Sequence, residues 1–228
     1  MTDRLRLSWP DPGPFRDRAN LPIRILAVSD EPDPSLDSAA TRQRLGDVDI
    51  IIGCGDLEPN YLGFVTDAFG APLRYIRGNH DVGSAWGHTE RELLPSPMAD
   101  GEVVEEAGIR LLGFSGSPIY SDQGMQVSSG EMWLKACSAW IHARKAGPLL
   151  LVTHAAPRGV NDADDKAHRG FKAFVWLADQ LHPPLWLHGH TALVRRGLDA
   201  RCARRNGTLF YNTTGATLVE LLPPGSNV

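Results

Sequence analysis

The sequence predicts an α/β fold in which parallel strands alternate with helices. Apolar runs rich in Ile, Leu and Val, mostly four to six residues long, recur along the chain and are typical of strands buried on both faces. Helix-like segments separate the first three of these runs, and strand–helix–strand units pair their strands in parallel. Polar side chains follow several of the runs directly, which is where open α/β proteins bind ligands.

The first half of the chain supplies two strand–helix–strand units. Their strands are predicted over residues 23–28, 48–53 and 72–77. Ser35 is placed to cap the first helix, which is expected to end at Gly46, and the second helix, over 58–69, is expected to end at Gly70. A loop over residues 82–101 follows and is long enough to be functional.

The second half begins with two short strands and continues with the strongest helical pattern of the chain, over residues 128–147. The apolar stripe of this helix consists of Met132, Ala136, Ala139, Trp140 and Ala143. A strand, a helix and a further strand are predicted over residues 149–153, 170–182 and 184–188. The remainder alternates in polarity and is predicted to form antiparallel strands.

Composition and charge limit the class of protein. The 228 residues are 42% hydrophobic and 22% charged, which is typical of a soluble globular protein. We expect one domain over residues 23–222, between a loosely packed surface arm over 1–22 and a frayed end over 223–228. A net charge of −4 gives no global attraction to nucleic acid or acidic membranes. No apolar run approaches the roughly 18 residues that span a bilayer.

The remaining bulk signals indicate a cytoplasmic protein. The N-terminus has no apolar segment of the kind found in secretory signals. The three cysteines, Cys54, Cys137 and Cys202, are odd in number and lack metal-binding spacing. A reducing compartment, with the thiols as small packed residues, fits this pattern.

Five short polar segments carry the candidate site. They belong to ILAVSD, IIGCGD, RYIRGNHD, LLLVTH and WLHGHT, and they contribute Asp30, Asp56, Asn79, His80, Asp81, His154 and His190. Carboxylate, amide and imidazole groups are the donors that hold divalent metals against phosphate. Within RGNHD, Gly78 permits a tight turn and Asn79 offers a neutral oxygen to a metal. His80 can protonate a departing alkoxide, and Asp81 can fix the tautomer of its ring.

The ordered series GCGD, GNHD, TH and HGHT resembles the calcineurin-like metallophosphoesterase superfamily, and the match runs from Ile23 to about Leu222. The resemblance implies a four-layer α-β-β-α sandwich, in which two mixed β-sheets flanked by helices carry a pair of divalent metals. It implies that Asp56 bridges the two metals and that Asp30 binds the first of them.

The same resemblance implies roles for the other residues of the series. Asn79, His154 and His190 would bind the second metal together with Asp56. His80 would contact the scissile phosphate or protonate the leaving group, and Asp81 would orient His80.

The sequence departs from the family pattern at two positions, and both affect the first metal. Pro32 and Ala192 stand where the family has histidines, so this metal keeps only Asp30 and the shared Asp56. In one outcome, Glu31 and waters complete an oxygen-rich site that suits Mn²⁺ or Mg²⁺ better than Zn²⁺, or that fills only when phosphate arrives. In the others, the enzyme works with one metal, or the site is decayed. The intact GNHD segment argues against decay.

Three further features each have two interpretations. His188 could replace a missing ligand, but a strand-end histidine bonded to the backbone is favoured. His168 could bind substrate phosphate beside Arg169 or cap the following helix, and the sequence favours neither. The arginines between Arg195 and Arg205 could attract nucleic acid, but a solubilising edge hairpin is favoured because the rest of the chain is not basic.

The expected function is that of a metal-dependent phosphoesterase, with small nucleotide or similar phosphodiesters favoured over phosphomonoesters and phosphoproteins. Two metals about 3.5–4 Å apart clamp a phosphate and lower the pKa of bound water, which then attacks phosphorus in line. His80 and Asp81 are the catalytic candidates, and Asn79, His80 and His168 the substrate-binding candidates. One or two ions are expected, with Mn²⁺ favoured over Mg²⁺, Fe²⁺ and Zn²⁺.

Two alternative functions stay open, of which the first belongs to another class of protein. A phosphate- or nucleotide-binding module that has lost turnover would explain Pro32 and Ala192, and a nuclease would use the arginine patch. The expected partner is a small phosphoester substrate. Nucleic acid stays open but is not favoured, no membrane partner is expected, and the sequence does not determine the oligomeric state.

Overall fold

The structure, a computed structural model, describes residues 2–191 and 201–226. Its strands are β1 (Asp3–Ser8), β2 (Ile23–Ser29), β3 (Ile50–Cys54), β4 (Leu73–Ile76), β5 (Val103–Glu106), β6 (Ile109–Phe114), β7 (Ser117–Pro118), β8 (Gln126–Val127), β9 (Leu149–Thr153), β10 (Leu185–His188), β11 (Cys202–Arg205), β12 (Thr208–Asn212) and β13 (Gly215–Leu222). Its α-helices are α1 (Ala39–Leu45), α2 (Pro59–Phe69), α3 (Glu90–Leu93), α4 (Ser129–Ala143) and α5 (Lys172–Leu181). Within the described ranges, none of these helices combines the length and the apolar character of a membrane span.

Two large mixed sheets carry the fold. The first has the strand order β1-β13-β2-β3-β4, in which β2, β3 and β4 are parallel and β13 runs antiparallel to β2. The second has the order β11-β12-β10-β9-β6-β5, with a parallel centre and antiparallel edges at β11 and β5. The parallel strands of the first sheet are joined through α1 and α2, as the two predicted strand–helix–strand units require.

Three apolar clusters show that sheets and helices form four layers. Successive side chains of a strand point to opposite faces, so each sheet has an inner and an outer apolar face. The cluster between the sheets includes Ile25, Ile52, Leu111 and Val152. The cluster under α4 and α5 includes Leu112, Leu151, Met132 and Phe174, and the one under α1 and α2 includes Leu26, Ile51, Leu45 and Leu62. The α-β-β-α sandwich with two mixed sheets is therefore confirmed.

The sequence predicted a loosely packed surface arm over residues 1–22, but the segment from Asp3 to Phe15 is anchored to the body of the fold. β1 pairs in parallel with β13 from Asp3 to Ser8, and Trp9 and Phe15 are only 1% and 0% exposed. The surface arm was predicted because a strand with alternating charged residues has the composition of a solvated segment. They lie on the outer side of an edge strand whose leucines pack against the cluster between the sheets.

The first helical segment begins differently from the prediction. A short 3-10 helix, Pro34–Asp37, precedes α1, and its cap is Asp33 rather than Ser35. The Asp33 carboxylate accepts the backbone N–H of Ser35 at 2.9 Å and the hydroxyl of Thr2 at 3.1 Å. Both Asp33 and Ser35 are suitable caps, and Thr2, which directly precedes β1, gives Asp33 a second partner.

Candidate metal centre

The ends of five strands bring the predicted site residues to one edge of the molecule, where the two sheets meet. Asp30, Asp56 and Asn79 follow β2, β3 and β4 of the first sheet, and His154 and His190 follow β9 and β10 of the second. Because parallel strands of both sheets end at this edge, residues distant in sequence become neighbours.

Four donor atoms converge at this edge. Nε2 of His154 lies 3.2 Å from Oδ2 of Asp56, 2.9 Å from Oδ1 of Asn79 and 3.1 Å from Nδ1 of His190. The ligand atoms of Asp56, His154 and His190 all lie within 4.8 Å of one another. Donors bound to a common ion at about 2.0–2.2 Å are themselves on the order of 3 Å apart, so these spacings fit a coordination sphere.

The hydrogen bonds of the two imidazoles leave their inner nitrogens free for a cation. Nδ1 of His154 lies 2.9 Å from the carbonyl oxygen of Cys54, and Nε2 of His190 lies 2.8 Å from that of Ala167. Since a carbonyl only accepts, these partners assign the protons to the outer nitrogens. The lone pairs of the inner nitrogens, the Asn79 oxygen and a carboxylate then face one another, an arrangement that a cation or a proton between them stabilises. Backbone carbonyls orient metal-binding histidines in this way, and the residues fit a divalent metal.

The charges of the centre are consistent with a bound cation. Burial would raise the pKa of Asp56, but His154 and the backbone N–H of His80 lower it to about 2. Burial opposes the charged form of His154, yet the Asp56 carboxylate raises its pKa to about 9. In the metal-free protein, a proton on His154 therefore replaces the ion. Burial lowers the pKa of His190 to about 3, so this ring is neutral and able to bind a metal.

Three of the predicted ligands hold an uncommon backbone conformation. Asp30, Asp56 and His190 have φ angles of 59°, 56° and 67°, in the left-handed region. Such residues concentrate at functional sites, where the surrounding fold enforces them. Gly78 is equally constrained, because a Cβ at this position would collide with the Asp56 carboxylate.

Asp30 lies beside the four-donor group and not within it. Its carboxylate accepts the backbone N–H of His190 at 2.9 Å and the hydroxyl of Thr214 at 3.2 Å, and burial raises its pKa. Glu31 and Pro32 are both exposed. Ala192, the second departure from the family pattern, lies outside the described residues. The predicted ligands of the second metal thus come together. Of the predicted ligands of the first metal, Asp30 lies near Asp56.

His80 and Asp81 occupy the turn after β4. His80 is exposed, and its backbone N–H donates to Oδ1 of Asp56 at 2.8 Å. The Asp81 carboxylate accepts the backbone N–H groups of Gly78 and Asp56 at 2.7 and 2.8 Å, and burial raises its pKa to about 7. Asp81 thereby ties this turn to the one that carries Asp56. Its role in orienting the His80 ring stays a prediction.

The two secondary histidines lie in different surroundings. The ring of His168 lies 5.2 Å from that of His190, and its Nδ1 contacts Asp165 at 2.8 Å, so His168 lines the rim of the centre. His188 is buried, its Nδ1 contacts the carbonyl oxygen of Gly189 at 3.1 Å, and burial lowers its pKa to about 4. The contact agrees with the interpretation of a strand-end histidine bonded to the backbone.

The arginine patch is partly neutralised. Arg201 pairs with Asp3 and Arg205 with Asp179, each at 2.9 Å. Arg195 and Arg196 lie outside the described residues. The visible pairs agree with the favoured interpretation of a charged hairpin at a sheet edge.

Sequence reasoning missed two polar contacts of the centre. The hydroxyl of Tyr120 lies 2.8 Å from Nδ2 of Asn79, and the hydroxyl of Thr214 contacts Asp30. Both residues come from segments without a recognisable motif. The sequence could predict only that a buried Asn79 amide with its oxygen on a metal needs some acceptor for its N–H group. It could not identify which residue supplies that acceptor.

The family follows from a comparison with known domains. A family model described as calcineurin-like phosphoesterase matches residues 23–193. The chain belongs to the calcineurin-like phosphoesterase family. Members of this family depend on divalent metals, and the four-donor group is the candidate site for one in this phosphoesterase.

Two crystal structures share the fold of this phosphoesterase at low sequence identity, with TM-scores above 0.5. A dimetal phosphatase from Danio rerio is 12% identical with a TM-score of 0.53, over 85% of this chain and 87% of that chain. A second crystal structure is 14% identical with a TM-score of 0.57, over 86% of this chain and 91% of that chain. Wild-type Vps29 from Entamoeba histolytica, complexed with zinc, is 12% identical with a TM-score of 0.39, over 85% and 74%. No curated protein matches the sequence.

Proposed function

We propose that this protein is a metal-dependent phosphodiesterase that hydrolyses small nucleotide or similar phosphodiesters. One observation carries the proposal: donor atoms of Asp56, Asn79 and His190 surround Nε2 of His154 at 2.9–3.2 Å, and the exposed His80 adjoins this group. A metal-binding group next to an exposed proton donor is the arrangement that phosphoester hydrolysis needs.

The proposed ligands of the second ion are Asp56, Asn79, His154 and His190. When bound, divalent cations supply Lewis-acid stabilisation of the phosphoryl oxygens and acidify water. Asp30, Asp56 and Glu31, with waters, are proposed for a first ion. We favour Mn²⁺ because these donors are oxygens.

The residues of the chain itself supply protons and position. His80 donates a proton to the leaving alkoxide, because its ring is exposed while its backbone is fixed on Asp56. Asp81 holds the turns of His80 and Asp56 together through two backbone N–H groups. His168 contributes to the substrate side of the rim.

A neighbouring cavity supports a small substrate. It has a volume of about 580 Å³, borders the centre through Asp81, and is lined by Trp86 and Arg91 among others. Trp86 is 4% exposed and packs on Tyr75, so it forms a rigid wall rather than a free stacking surface. The volume lies within the range of small-molecule sites, and Asp81 is the one residue of the candidate site that lines the cavity.

Two alternatives differ in what supports them. A binding module without turnover draws support from Pro32, which is exposed and cannot coordinate a metal. A nuclease is disfavoured, because Arg201 and Arg205 are engaged by carboxylates.

A reducing, cytoplasmic location is proposed because Cys54, Cys137 and Cys202 are all free.

The test compares three substrates in the presence of Mn²⁺: bis(p-nitrophenyl) phosphate, p-nitrophenyl phosphate and single-stranded DNA. We expect the diester to be hydrolysed fastest. His154→Ala should lose bound Mn²⁺, whereas His80→Ala should keep Mn²⁺ and lose about 10²–10⁴-fold in turnover. His142→Ala, an exposed histidine on α4, is the matched control and should change neither quantity.

The outcomes separate the candidate functions. Phosphate binding without hydrolysis, together with no effect of His80→Ala, would favour the binding module. Faster cleavage of DNA than of the small diester would favour the nuclease. Preference for the monoester would keep the phosphoesterase and overturn the diester assignment.

A further inference from the structure

We propose that Tyr120 binds the substrate, with its hydroxyl donating a hydrogen bond to a phosphoryl oxygen. The inference rests on the proposed function and adds a residue that neither the motifs nor the family match assigns. Tyr120 lies in the segment between β7 and β8, far in sequence from every metal-binding motif.

The hydrogen bond between Tyr120 and Asn79 has a defined direction. Oδ1 of Asn79 lies 2.9 Å from Nε2 of His154, and Nδ2 of the same amide lies 2.8 Å from the Tyr120 hydroxyl. A metal is bound by the amide oxygen and not by the N–H group, so the N–H group must face Tyr120. The tyrosine oxygen is therefore the acceptor, and its own proton is left for another partner.

That proton has no acceptor in the described ranges of the chain. Tyr120 is half-buried, and among residues 2–191 and 201–226 its side chain hydrogen-bonds only to Asn79. The acceptor must then come from solvent or from a ligand. Because the hydroxyl is separated from the metal-facing oxygen by a single amide group, a phosphate held at the centre would supply a strong acceptor.

The segment that carries Tyr120 is anchored to the centre. The backbone N–H groups of Tyr120 and Ser121 both donate to Oε1 of Gln126, at 2.6 and 3.0 Å. The backbone N–H of Met125 donates to the carbonyl oxygen of Asn79 at 2.9 Å. Tyr120 is therefore placed by two connections, one of which ends on the ligand residue itself, and the hydroxyl is pre-positioned for substrate.

The experiment measures binding of inorganic phosphate to the Mn²⁺-loaded protein by calorimetry, and phosphate inhibition of diester hydrolysis. Tyr120→Phe removes the donor and keeps the ring. We expect its phosphate affinity to fall by about tenfold or more, because hydrogen bonds to charged groups are strong. Its Mn²⁺ affinity, measured separately, should change less than about threefold, because a water can replace the hydroxyl as acceptor.

Two further variants keep the test decisive. Tyr61→Phe removes a tyrosine hydroxyl whose contact is the backbone N–H of Asp33, outside the centre, and should leave phosphate affinity unchanged. Gln126→Ala keeps the Tyr120 hydroxyl and removes its anchor, so it should weaken phosphate binding by a smaller factor than Tyr120→Phe.

Unchanged phosphate affinity in Tyr120→Phe would overturn the inference while leaving the proposed function intact. A parallel loss of Mn²⁺ and phosphate would also overturn it, because Tyr120 would then act only through Asn79. If the wild-type protein with Mn²⁺ binds no phosphate, the proposed function fails, and the inference fails with it.

Discussion

The side chain and backbone of Asn79 join three parts of the centre. The amide oxygen belongs to the donor group, the amide nitrogen contacts Tyr120, and the backbone carbonyl accepts the N–H of Met125. Asn79 is 1% exposed, and both polar atoms of its side chain and its backbone carbonyl have partners. Its side chain is therefore held in one orientation. Precision at the centre thus depends on ordinary hydrogen bonds as well as on the ligands.

Gly78→Ala should disable the centre without adding any charge. The new Cβ would collide with the Asp56 carboxylate and would lie 2.6 Å from the Asp56 backbone nitrogen. Since Asp56 must move, we expect Mn²⁺ affinity to fall by about tenfold or more, as for other groups that orient metal ligands. Gly130→Ala is the control, because no heavy atom lies within 4 Å of its added Cβ. Equal Mn²⁺ affinity in both variants would contradict the prediction.

At the scale of elements, the strand ends were the part of the site that local sequence could predict. An apolar run followed by a polar residue identifies a strand and its end within one segment, as at Thr153 and His154. Tyr120 could not be found in this way, because its contact with Asn79 depends on a loop conformation. Asp33 was missed as a cap because its second partner, Thr2, lies 31 residues away in the sequence.

The cap at Asp33 gives a prediction that depends on pH. Burial would raise the pKa of this carboxyl, but hydrogen bonds from Ser35 and Thr2 hold it below its ordinary value. A lowered pKa stabilises the fold above the unfolded-state pKa of about 3.9, and this stabilisation is lost as pH falls through the folded-state pKa. Asp33→Ala should therefore lower the free energy of unfolding by about 1 kcal/mol at pH 7 and by progressively less below about pH 4.

Urea denaturation at pH 7 and at acidic pH measures this difference. Asp37→Ala removes an exposed carboxylate from the same 3-10 helix and is the matched control. If Asp33→Ala lowers the free energy of unfolding equally at both pH values, the charge of Asp33 does not contribute to stability.

On the scale of the whole molecule, the centre joins the two sheets. Asp56 and Asn79 follow strands of the first sheet, while His154 and His190 follow strands of the second. The placement was predictable in outline, because each ligand follows its own apolar run. The contribution of residues 1–22 was not, because β1 is recognisable as a strand only beside β13, more than 200 residues away.

Truncating Trp9 tests whether the N-terminal segment belongs to the core. Trp9 is 1% exposed, packs in the cluster between the sheets, and donates its backbone N–H to Leu222 at 2.8 Å. Trp9→Ala should lower the free energy of unfolding by about 3–5 kcal/mol. Leu21→Ala, at a side chain that is 62% exposed, should change it by about 0.5 kcal/mol or less. Similar midpoints in urea for the two variants would restore the surface-arm interpretation.

The left-handed backbone at Asp30, Asp56 and His190 has a consequence for the metal-free protein. Such conformations cost on the order of 1–3 kcal/mol each, and they persist only where the surroundings enforce them. The amides of Asp56 and His190 are shielded from exchange by the carboxylates of Asp81 and Asp30, at 2.8 and 2.9 Å. Stripping Mn²⁺ with EDTA should therefore accelerate deuterium uptake at these two amides and leave the interior of β9 protected. Uptake that rises equally throughout both sheets would mean that the ion stabilises the fold globally and does not hold these turns in particular.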